Sequence, residues 1–353
     1  MLELEHSNLD AWKESFSSAI KTTEQLASFL ESPVEEVEYP LFIPISLAKK
    51  IKDQGPGGPL WKQFVPCADE SGTNGLKDPI ADHHYSKKGG IIHRYGNRLL
   101  FSPTEVCPVQ CRYCFRKNEL HTGDPVFKAN TELLLEYLIE NPTVEEVILT
   151  GGDPLVLSDQ RIDKLLSEIS TVSSVTMVRF HSRTPVVMPE RLSQNLLNIL
   201  SKHRDHFKAI TLVIHTNHDS EIDDQFTKAL RPYLAAGISL LSQSVLLRGV
   251  NDSVSALRAL FQTLYFSGVR PYYLHHPGPV KGAMHFTLSL EQGRAIYRDL
   301  KASISGVMLP HYIIELPHGK GKTLAHSSQV STSNDWYDKD GDIIHQAFKL
   351  SNS

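Results

Sequence analysis

The chain has 353 residues, of which 41% are hydrophobic, and this length can bury either one large α/β barrel or two ordinary domains. The net charge of −4 gives no excess of lysine and arginine, which proteins need to bind nucleic acid or an anionic membrane. The acidic N-terminus lacks the basic start and apolar core of a secretory signal, and no later run approaches about eighteen apolar residues. We therefore expect a cytoplasmic protein that acts on a small molecule, without a nucleic-acid or membrane partner.

Helical periodicity dominates the beginning of the chain. Apolar residues recur at helical spacing from Leu9 to Leu30, and a second helix is predicted to run through Ile51. The following stretch is rich in glycine, aspartate, serine and histidine, contains Cys67, and is typical of an irregular connection. We assign residues 1–90 to an N-terminal helical segment and this connection.

Short β-branched runs alternate with helical stretches in the middle of the chain, which favours parallel strands joined by right-handed crossovers. Six strand–helix units are predicted, with strands at RLLFSP, EVILTG, VTMVRFH, AITLVIH, ISLLSQSVLL and VRPYYLHH, and a later strand, HYIIEL, precedes a loop rich in glycine and lysine. An open doubly wound sheet would share this pattern, but it would gather the unusual residues at one crevice, whereas here they follow almost every strand. We therefore predict an α/β fold, a partial TIM-like (βα)6 barrel over residues 91–325, and a tail over residues 326–353 with a short hairpin around DKDGD.

Three of the four cysteines lie within eight residues, in the segment CPVQCRYCFR that follows the first barrel strand. Cys107, Cys111 and Cys114 have the spacing C-x3-C-x2-C, and three thiolates leave one iron of a [4Fe–4S] cluster open for an exchangeable ligand. Two other interpretations are one face of a helix, which Pro108 disfavours, and a zinc site, which would need a fourth protein ligand. The segment therefore predicts an iron–sulfur cluster in a reducing compartment.

A glycine-rich segment, TGGDPL, follows the second barrel strand. On its own, Gly151 and Gly152 can form a simple turn from strand to helix, with Asp153 as the N-cap. Together with the cysteine spacing and Tyr113 beside Cys114, however, the segment resembles the glycine motif of the radical S-adenosylmethionine (SAM) superfamily. This resemblance implies that the cluster binds and cleaves SAM, and that the glycine backbone and the Asp153 side chain receive the methionine ammonium group.

From His93 to about Thr323 the sequence resembles one family of that superfamily more closely, the lysine 2,3-aminomutases. The resemblance rests on the ordered fragments HRYGNRLLFSPTEVCPVQCRYCFR, ILTGGDPL, HSRTPVVMPERL, SQSVLLRGVND, PYYLHHPGPVKGAMHF and LPHGKGKT. In length the chain is similar to the short subgroup that makes β-lysine for elongation factor P. Longer members carry further C-terminal cysteines for zinc, which are absent here, so we expect no zinc.

The resemblance implies a pyridoxal phosphate site inside a radical SAM barrel. Lys322 in HGKGKT matches the lysine that bonds covalently to this cofactor, although residue type alone would equally allow Lys320, or two solvated loop lysines. Four further positions match residues that hold the cofactor, namely Arg94, Tyr95 and Arg98 at its phosphate and Gln243 near its ring. Residue type alone would make these arginines ordinary surface residues.

The resemblance also implies how an amino acid is bound. Arg116 matches the arginine for the substrate α-carboxylate, and Glu315 matches one of two carboxylates around the distant ammonium of lysine. The second carboxylate position is Gly278 here, which weakens the case for free lysine because a buried ammonium needs opposite charge. Lys281 is close in sequence and would instead suit an acidic side chain.

These residues predict a SAM-dependent and pyridoxal phosphate-dependent amino acid 2,3-aminomutase, an isomerase. Conversion of L-lysine to β-lysine is the first expectation, with glutamate or arginine as alternative substrates. A one-electron donor of flavodoxin or ferredoxin type would reduce the cluster, and a homodimer is one option for the assembly. Two other hypotheses stay open: a radical SAM methyl or sulfur transferase that needs no pyridoxal phosphate and hence no Lys322, and a cluster-binding sensor without catalysis.

Overall fold

The computed structural model describes residues 11–326, 336–337 and 343–344. Its main feature is a sheet of nine strands in the order β1 to β9. Strands β2 to β8 run parallel, whereas the edge strands β1 and β9 are antiparallel to their neighbours. The strands are β1 (Ile91–Tyr95), β2 (Arg98–Thr104), β3 (Glu146–Gly151), β4 (Met177–Ser182), β5 (Ala209–His215), β6 (Ser239–Val245), β7 (Arg270–His275), β8 (His311–Leu316) and β9 (Gly321–Leu324).

Six crossovers join the parallel strands, and each contains one long helix. The predicted α/β fold, a partial barrel of six strand–helix units, is therefore confirmed. Each of these helices follows an Asn, Ser or Asp whose side chain accepts a hydrogen bond from the first turn, which stabilises the helix by about 1 kcal/mol. The crossover helices are α6 (Thr131–Glu140), α7 (Asp159–Ile169), α9 (Gln194–His203), α10 (Asp224–Ala235), α11 (Val254–Phe266) and α12 (Leu290–Ser303), and the short helix α8 (Thr184–Val187) precedes α9.

The N-terminal part contains more helix than the sequence predicted. The first predicted helix is two helices, because Thr22 is the N-cap of the second one. Two further helices lie inside the predicted irregular connection. The N-terminal helices are α1 (residues 11–17), α2 (Thr23–Leu30), α3 (Ile45–Gln54), α4 (Pro59–Phe64) and α5 (Asp82–Tyr85). Apolar side chains of α2, α3 and α4 form one cluster with Val109, Val187 and Met188, so this segment packs on the barrel beside the predicted cluster cysteines.

The two faces of the parallel strands have different surroundings. Side chains that point outwards pack against the crossover helices in one apolar core, and Val147, Phe180 and Leu212 are at most 2% exposed. Many alternate side chains point into the barrel and are polar, among them Glu146, Thr150, Arg179, His181 and Gln243. Branched apolar residues normally fill the interior of a TIM barrel. The interior of this partial barrel is therefore a binding cavity.

The edge strands differ from the prediction. Strand β1 was not predicted, and the predicted glycine-rich and lysine-rich loop contains strand β9. Two short strands, β10 (Trp336–Tyr337) and β11 (Ile343–Ile344), pair antiparallel on either side of DKDGD, as predicted for a hairpin. The division at residues 90 and 325 stays a prediction.

Among the helices of the described residues, none has the length and apolar character needed to span a membrane.

Candidate active site

The interior of the barrel encloses a cavity of about 730 Å³. Its wall includes the C-terminal ends of the parallel strands, where barrel enzymes bind their substrates. The structure brings all thirteen site residues predicted from the sequence to this one cavity: Arg94, Tyr95, Arg98, Cys107, Cys111, Cys114, Arg116, Gly151, Gly152, Asp153, Gln243, Glu315 and Lys322. Their individual roles stay predictions.

The cysteine loop, residues 105–116, is held from outside by the N-terminal segment. The backbone N–H of Arg112 donates to the carbonyl oxygen of Gln63 at 2.9 Å. The buried Arg112 guanidinium forms a bidentate pair with Glu70, with N–O distances of 2.9 and 2.6 Å, and Lys117 donates to the same carboxylate at 2.8 Å. Because all three charged groups are buried and paired, the N-terminal segment fixes the loop that carries the cysteines.

The three thiols of the cysteine loop line the cavity and form no disulfide. Burial raises the pKa of Cys107 and Cys111, and raises that of Cys114 to about 11, so these thiols are neutral until a metal displaces their protons. Among the described residues the three sulfur atoms do not all lie within 4.8 Å of one another, so they are spaced more widely than the ligands of a single zinc ion. Three sulfur ligands of this kind fit a [4Fe–4S] cluster with one open iron.

The glycine motif at the end of β3 contacts the beginning of the cysteine loop. The backbone N–H of Gly152 donates to Thr104 at 2.9 Å, and that of Asp153 donates to Val106 at 2.8 Å. A Cβ atom at Gly152 would lie only 2.4 Å from the carbonyl oxygen of Val106, so this close approach requires glycine. The two segments that resemble the SAM-binding motifs therefore form one continuous surface.

The buried carboxylate of Asp153 accepts four hydrogen bonds. Its Oδ1 accepts from the Leu155 N–H at 3.0 Å and the Ser182 hydroxyl at 2.8 Å. Its Oδ2 accepts from the N–H groups of Arg183 and Thr184 at 2.7 and 3.0 Å. Asp153 thus joins the C-terminal ends of β3 and β4. Since both oxygens are in use, the structure supports a positioning role, and the contact with a methionine ammonium stays a prediction.

The hairpin of β1 and β2 brings cationic side chains to the cavity wall. The Arg98 guanidinium stacks on the ring of Tyr95 at 3.9 Å, and the Tyr95 hydroxyl accepts a hydrogen bond from the backbone N–H of Lys322 at 2.9 Å. This contact bridges the two edges of the sheet. The buried Nε of Arg94 has no hydrogen-bond partner among the described residues. Two guanidinium groups, one with an unused buried donor, fit the phosphate of pyridoxal phosphate.

Glu315 on β8 faces Lys322 on β9, and their side chains form a salt bridge inside the cavity. Burial raises the pKa of Glu315, but the Lys322 ammonium and the Arg94 guanidinium, 3.7 Å away, outweigh burial and lower this pKa overall. The carboxylate is therefore ionised and holds the amine in the cavity. The second oxygen of Glu315, Oε2, has no hydrogen-bond partner among the described residues.

Arg116 is buried and is oriented by a residue that the sequence analysis did not single out. Asp82 Oδ2 accepts hydrogen bonds from Nε and Nη2 of Arg116 at 3.0 and 2.8 Å, and its Oδ1 accepts from Arg94 at 3.2 Å. Asp82 lies in α5 and is completely buried. Only its burial between two arginines distinguishes Asp82 from the other acidic residues nearby, and this burial depends on long-range packing.

Neutral histidines complete the cavity wall at the ends of three strands. Burial lowers the pKa of His181 and His215, and lowers that of His275 to about 4. The Nε2 atoms of His181 and His275 have no hydrogen-bond partner among the described residues. Gln243 on β6 pairs in register with His215 and also lines the cavity. These groups offer hydrogen bonds to the ring of a bound cofactor.

Other residues considered in the sequence analysis have different surroundings. The Sγ of Cys67 lies 3.7 Å from Nε2 of His285, and Cys67 does not line the cavity. Lys281 and the exposed Lys320 do not line it either. Gly278 does, and a Cβ atom there would have no neighbour closer than 3.9 Å. Of the two candidate lysines, therefore, Lys322 is the one at the cavity.

Comparison with known proteins assigns the chain to a family. The sequence profile of the Radical SAM superfamily matches residues 101–260, which carry the cysteine loop and the glycine motif. The chain is 35% identical to L-lysine 2,3-aminomutase from Escherichia coli over 287 residues, 81% of this chain and 83% of that protein. It is 33% identical to the enzyme of the same name from Haemophilus influenzae, over 89% of this chain and 95% of that protein, and 35% identical to that from Methanococcus maripaludis, over 90% and 76%. The chain therefore belongs to the lysine 2,3-aminomutase family of the Radical SAM superfamily.

Proposed function

We propose that the protein converts L-lysine to β-lysine by moving the amino group from carbon 2 to carbon 3. Family membership makes the chain an isomerase and implies a [4Fe–4S] cluster, SAM and pyridoxal phosphate as cofactors. The observation that carries the proposal is Glu315, which lies at the cavity beside Lys322 and has one oxygen without a partner among the described residues. The names of the relatives support lysine as the substrate.

The residues of the chain bind and orient the reacting groups. When bound, the cofactors supply a carbon-centred radical that exchanges a hydrogen atom with the substrate and a carbonyl group that holds the substrate nitrogen. The cysteine loop would hold the cluster, and the β1–β2 arginines would hold the phosphate. Arg116, oriented by Asp82, would bind the substrate α-carboxylate. Enclosure within the barrel aligns these groups and excludes water.

Glu315 has the charge and the surroundings to recognise a substrate ammonium. In the structure it neutralises the Lys322 ammonium through Oε1, and its Oε2, which has no hydrogen-bond partner among the described residues, would be open to a second cation. The other two carboxylates of the cavity wall are engaged. Glu146 forms a bidentate pair with Arg179 at 2.8 and 2.7 Å, and Asp153 accepts four hydrogen bonds.

Glu315 supports a cationic substrate side chain over an acidic one. Lys281, which would have suited glutamate, does not line the cavity. The open space beside Gly278 admits a longer cationic side chain, which keeps arginine as the second candidate substrate. A link to elongation factor P rests on the resemblance in length to the short subgroup and is part of this proposal.

A radical SAM enzyme needs a reductant and a small-molecule substrate. We propose a one-electron donor of flavodoxin or ferredoxin type and a cytoplasmic location, where glutathione and thioredoxin keep thiols reduced. A homodimer stays a prediction.

The substrate proposal is tested with anaerobically reconstituted protein, dithionite, SAM and pyridoxal phosphate. Lysine, arginine and glutamate are supplied in parallel, and the products are measured by mass spectrometry after derivatisation. We expect β-lysine as the main product. A β-isomer of arginine or glutamate as the main product would replace the substrate, whereas 5'-deoxyadenosine without any β-amino acid would favour a different radical reaction, such as methyl or sulfur transfer.

The cofactor proposal is tested with Lys322→Ala and the matched variant Lys320→Ala. Lys322 lies at the cavity and Lys320 is exposed, so only the first substitution removes the amine that would bond to pyridoxal phosphate. We expect the visible absorption of the lysine-bound cofactor to disappear in Lys322→Ala and to persist in Lys320→Ala. Equal absorption in both variants would contradict the assignment.

A further inference from the structure

A group of acidic residues surrounds one histidine outside the active-site cavity. Nδ1 of His83 lies 2.9 Å from Oδ2 of Asp78 and 3.1 Å from Oε1 of Glu119. The ligand atoms of these three side chains lie within 4.8 Å of one another, and no other trio of His, Cys, Asp or Glu in the described part of the chain is this compact. None of the three residues lines the active-site cavity.

The Glu119 side chain points to a bound cation. It is 3% exposed, and neither carboxylate oxygen accepts a hydrogen bond from any residue that the structure describes. His83 Nδ1 is close to Oε1 of Glu119, but this nitrogen is hydrogen-bonded to Asp78 instead. A buried carboxylate without a donor is energetically costly, and proteins commonly satisfy such a group by pairing or with an ion.

The second ring nitrogen of His83 has the environment of a metal-binding histidine. Its Nε2 lies 2.7 Å from Oδ2 of Asp124, within hydrogen-bond distance. In the structure both ring nitrogens lie at hydrogen-bond distance from carboxylates and therefore carry protons; a cation between Asp78 and Glu119 would displace the proton on Nδ1 and bind its lone pair, while Nε2 keeps its bond to Asp124. Carboxylate, imidazole and metal in this order form a recurrent arrangement in which the outer carboxylate fixes the tautomer.

We propose that Asp78, His83 and Glu119 bind a divalent first-row transition-metal ion such as Mn²⁺ or Zn²⁺, with Asp124 orienting the imidazole. One nitrogen and two carboxylate oxygens suit these ions, whereas Mg²⁺ and Ca²⁺ prefer oxygen ligands. The His83 side chain is 47% exposed, so water can complete the coordination. The site uses no cysteine and departs from the expectation of a zinc-free protein, which considered cysteine ligands alone.

The ion would join two segments that position Arg116, the residue predicted to bind the substrate α-carboxylate. Two of its ligands lie on either side of Asp82 in sequence, and the third follows the cysteine loop. Asp82 accepts two hydrogen bonds from Arg116, so an ion that fixes α5 also fixes this guanidinium. The metal site would therefore be a positioning site that supports the cavity without contacting the substrate.

The test is a titration of cluster-loaded protein with MnCl₂, in which the EPR signal of free Mn²⁺ reports binding. Mn²⁺ prefers oxygen and nitrogen to thiolate ligands, and an oxidised [4Fe–4S] cluster has no EPR signal, so the cluster site does not interfere. The wild type is compared with His83→Ala, Glu119→Gln and Asp124→Asn. His84→Ala is the matched control, because His84 is the exposed neighbour whose ring contacts Tyr85.

We expect one Mn²⁺ per chain in the wild type and in His84→Ala, with at least about tenfold weaker binding in His83→Ala and Glu119→Gln and about 10-fold to 100-fold weaker binding in Asp124→Asn. Zn²⁺ should displace the bound Mn²⁺, and Mn²⁺ should raise the thermal unfolding midpoint of the wild type but not of His83→Ala. If the buried Glu119→Gln variant does not retain its cluster, the comparison rests on His83→Ala, because His83 is exposed. Absence of Mn²⁺ binding in the wild type, or equal affinity in the wild type and His83→Ala, overturns the proposal.

Discussion

The backbone conformation of one glycine decides whether the two SAM-motif segments can meet. Gly151 has φ +97°, a conformation that L side chains rarely adopt. A Cβ atom at this position would lie 1.8 Å from Oγ and 2.5 Å from Cβ of Ser102. Because Ser102 lies on β2, directly before the cysteine loop, an added side chain would separate β3 from the strand that leads into the cluster site.

Gly151→Ala is expected to lower stability and cluster retention together. The backbone conformation alone costs about 1 to 2 kcal/mol with an alanine, and displacement of Ser102 adds to this. The measurements are the thermal unfolding midpoint and the iron content after reconstitution. Gly96→Ala is the control, since Gly96 also lies in a turn but its added Cβ would meet nothing within 4 Å. Equal behaviour of the two variants would contradict this role of Gly151.

Secondary-structure elements were predictable where the signal was local. The six crossover helices begin at capping residues, and strands such as β3 (EVILTG) and β5 (AITLVIH) are rich in β-branched residues, so short windows of sequence identify both. Strands β1 and β9 were missed because each pairs on only one side and contains polar or glycine residues, so neighbours distant in sequence decide their structure. The same reason explains why Lys322 lies in strand β9, although it was expected in a loop.

The residues of the candidate site were also predictable only where the signal was local. Residues in motifs at the ends of strands could be placed at one mouth of a barrel from their sequence alone, because parallel strands bring their C-terminal ends together. Asp82 and Glu70 could not be identified from the sequence, although Asp82 orients Arg116 and Glu70 holds the cysteine loop through Arg112. Their importance depends on burial opposite Arg116 and Arg112, and a sequence of acidic residues in a polar connection contains no sign of that burial.

Asp153→Asn tests whether this carboxylate joins β3 to β4 or contacts SAM directly. An asparagine can accept hydrogen bonds with one oxygen only, so two donors now bonded to Asp153 lose their acceptor, which costs about 1 to 3 kcal/mol for each buried group. We expect a lower free energy of unfolding in urea, with Asp205→Asn at an exposed position as the control. Unchanged stability with weaker SAM binding would instead support the direct contact.

At the scale of the whole molecule, the polar interior has a consequence for stability against acid. A barrel that is open for cofactors carries titratable groups where other barrels carry apolar ones, and four of these groups are partly buried histidines. Burial lowers the pKa of all four, and lowers it to about 4 for His275 and His276, so the folded protein keeps these imidazoles neutral. For His181 and His215 the pKa is lowered well below the ordinary value of a histidine.

Acidification between about pH 6.5 and pH 4 is therefore expected to destabilise the protein. In this window an unfolded chain protonates its histidines and the folded chain does not, so the free energy of unfolding falls by about 1.4 kcal/mol per pH unit for each such histidine. His276→Asn removes one of these groups while an amide can still bond to the Tyr312 hydroxyl, which lies 2.7 Å from His276 Nδ1. The variant should lose less stability than the wild type between pH 7 and pH 5 in thermal unfolding. An identical pH slope in His276→Asn and the wild type would show that His276 is protonated in the folded protein, and the polar interior would then not be the source of acid sensitivity at this position.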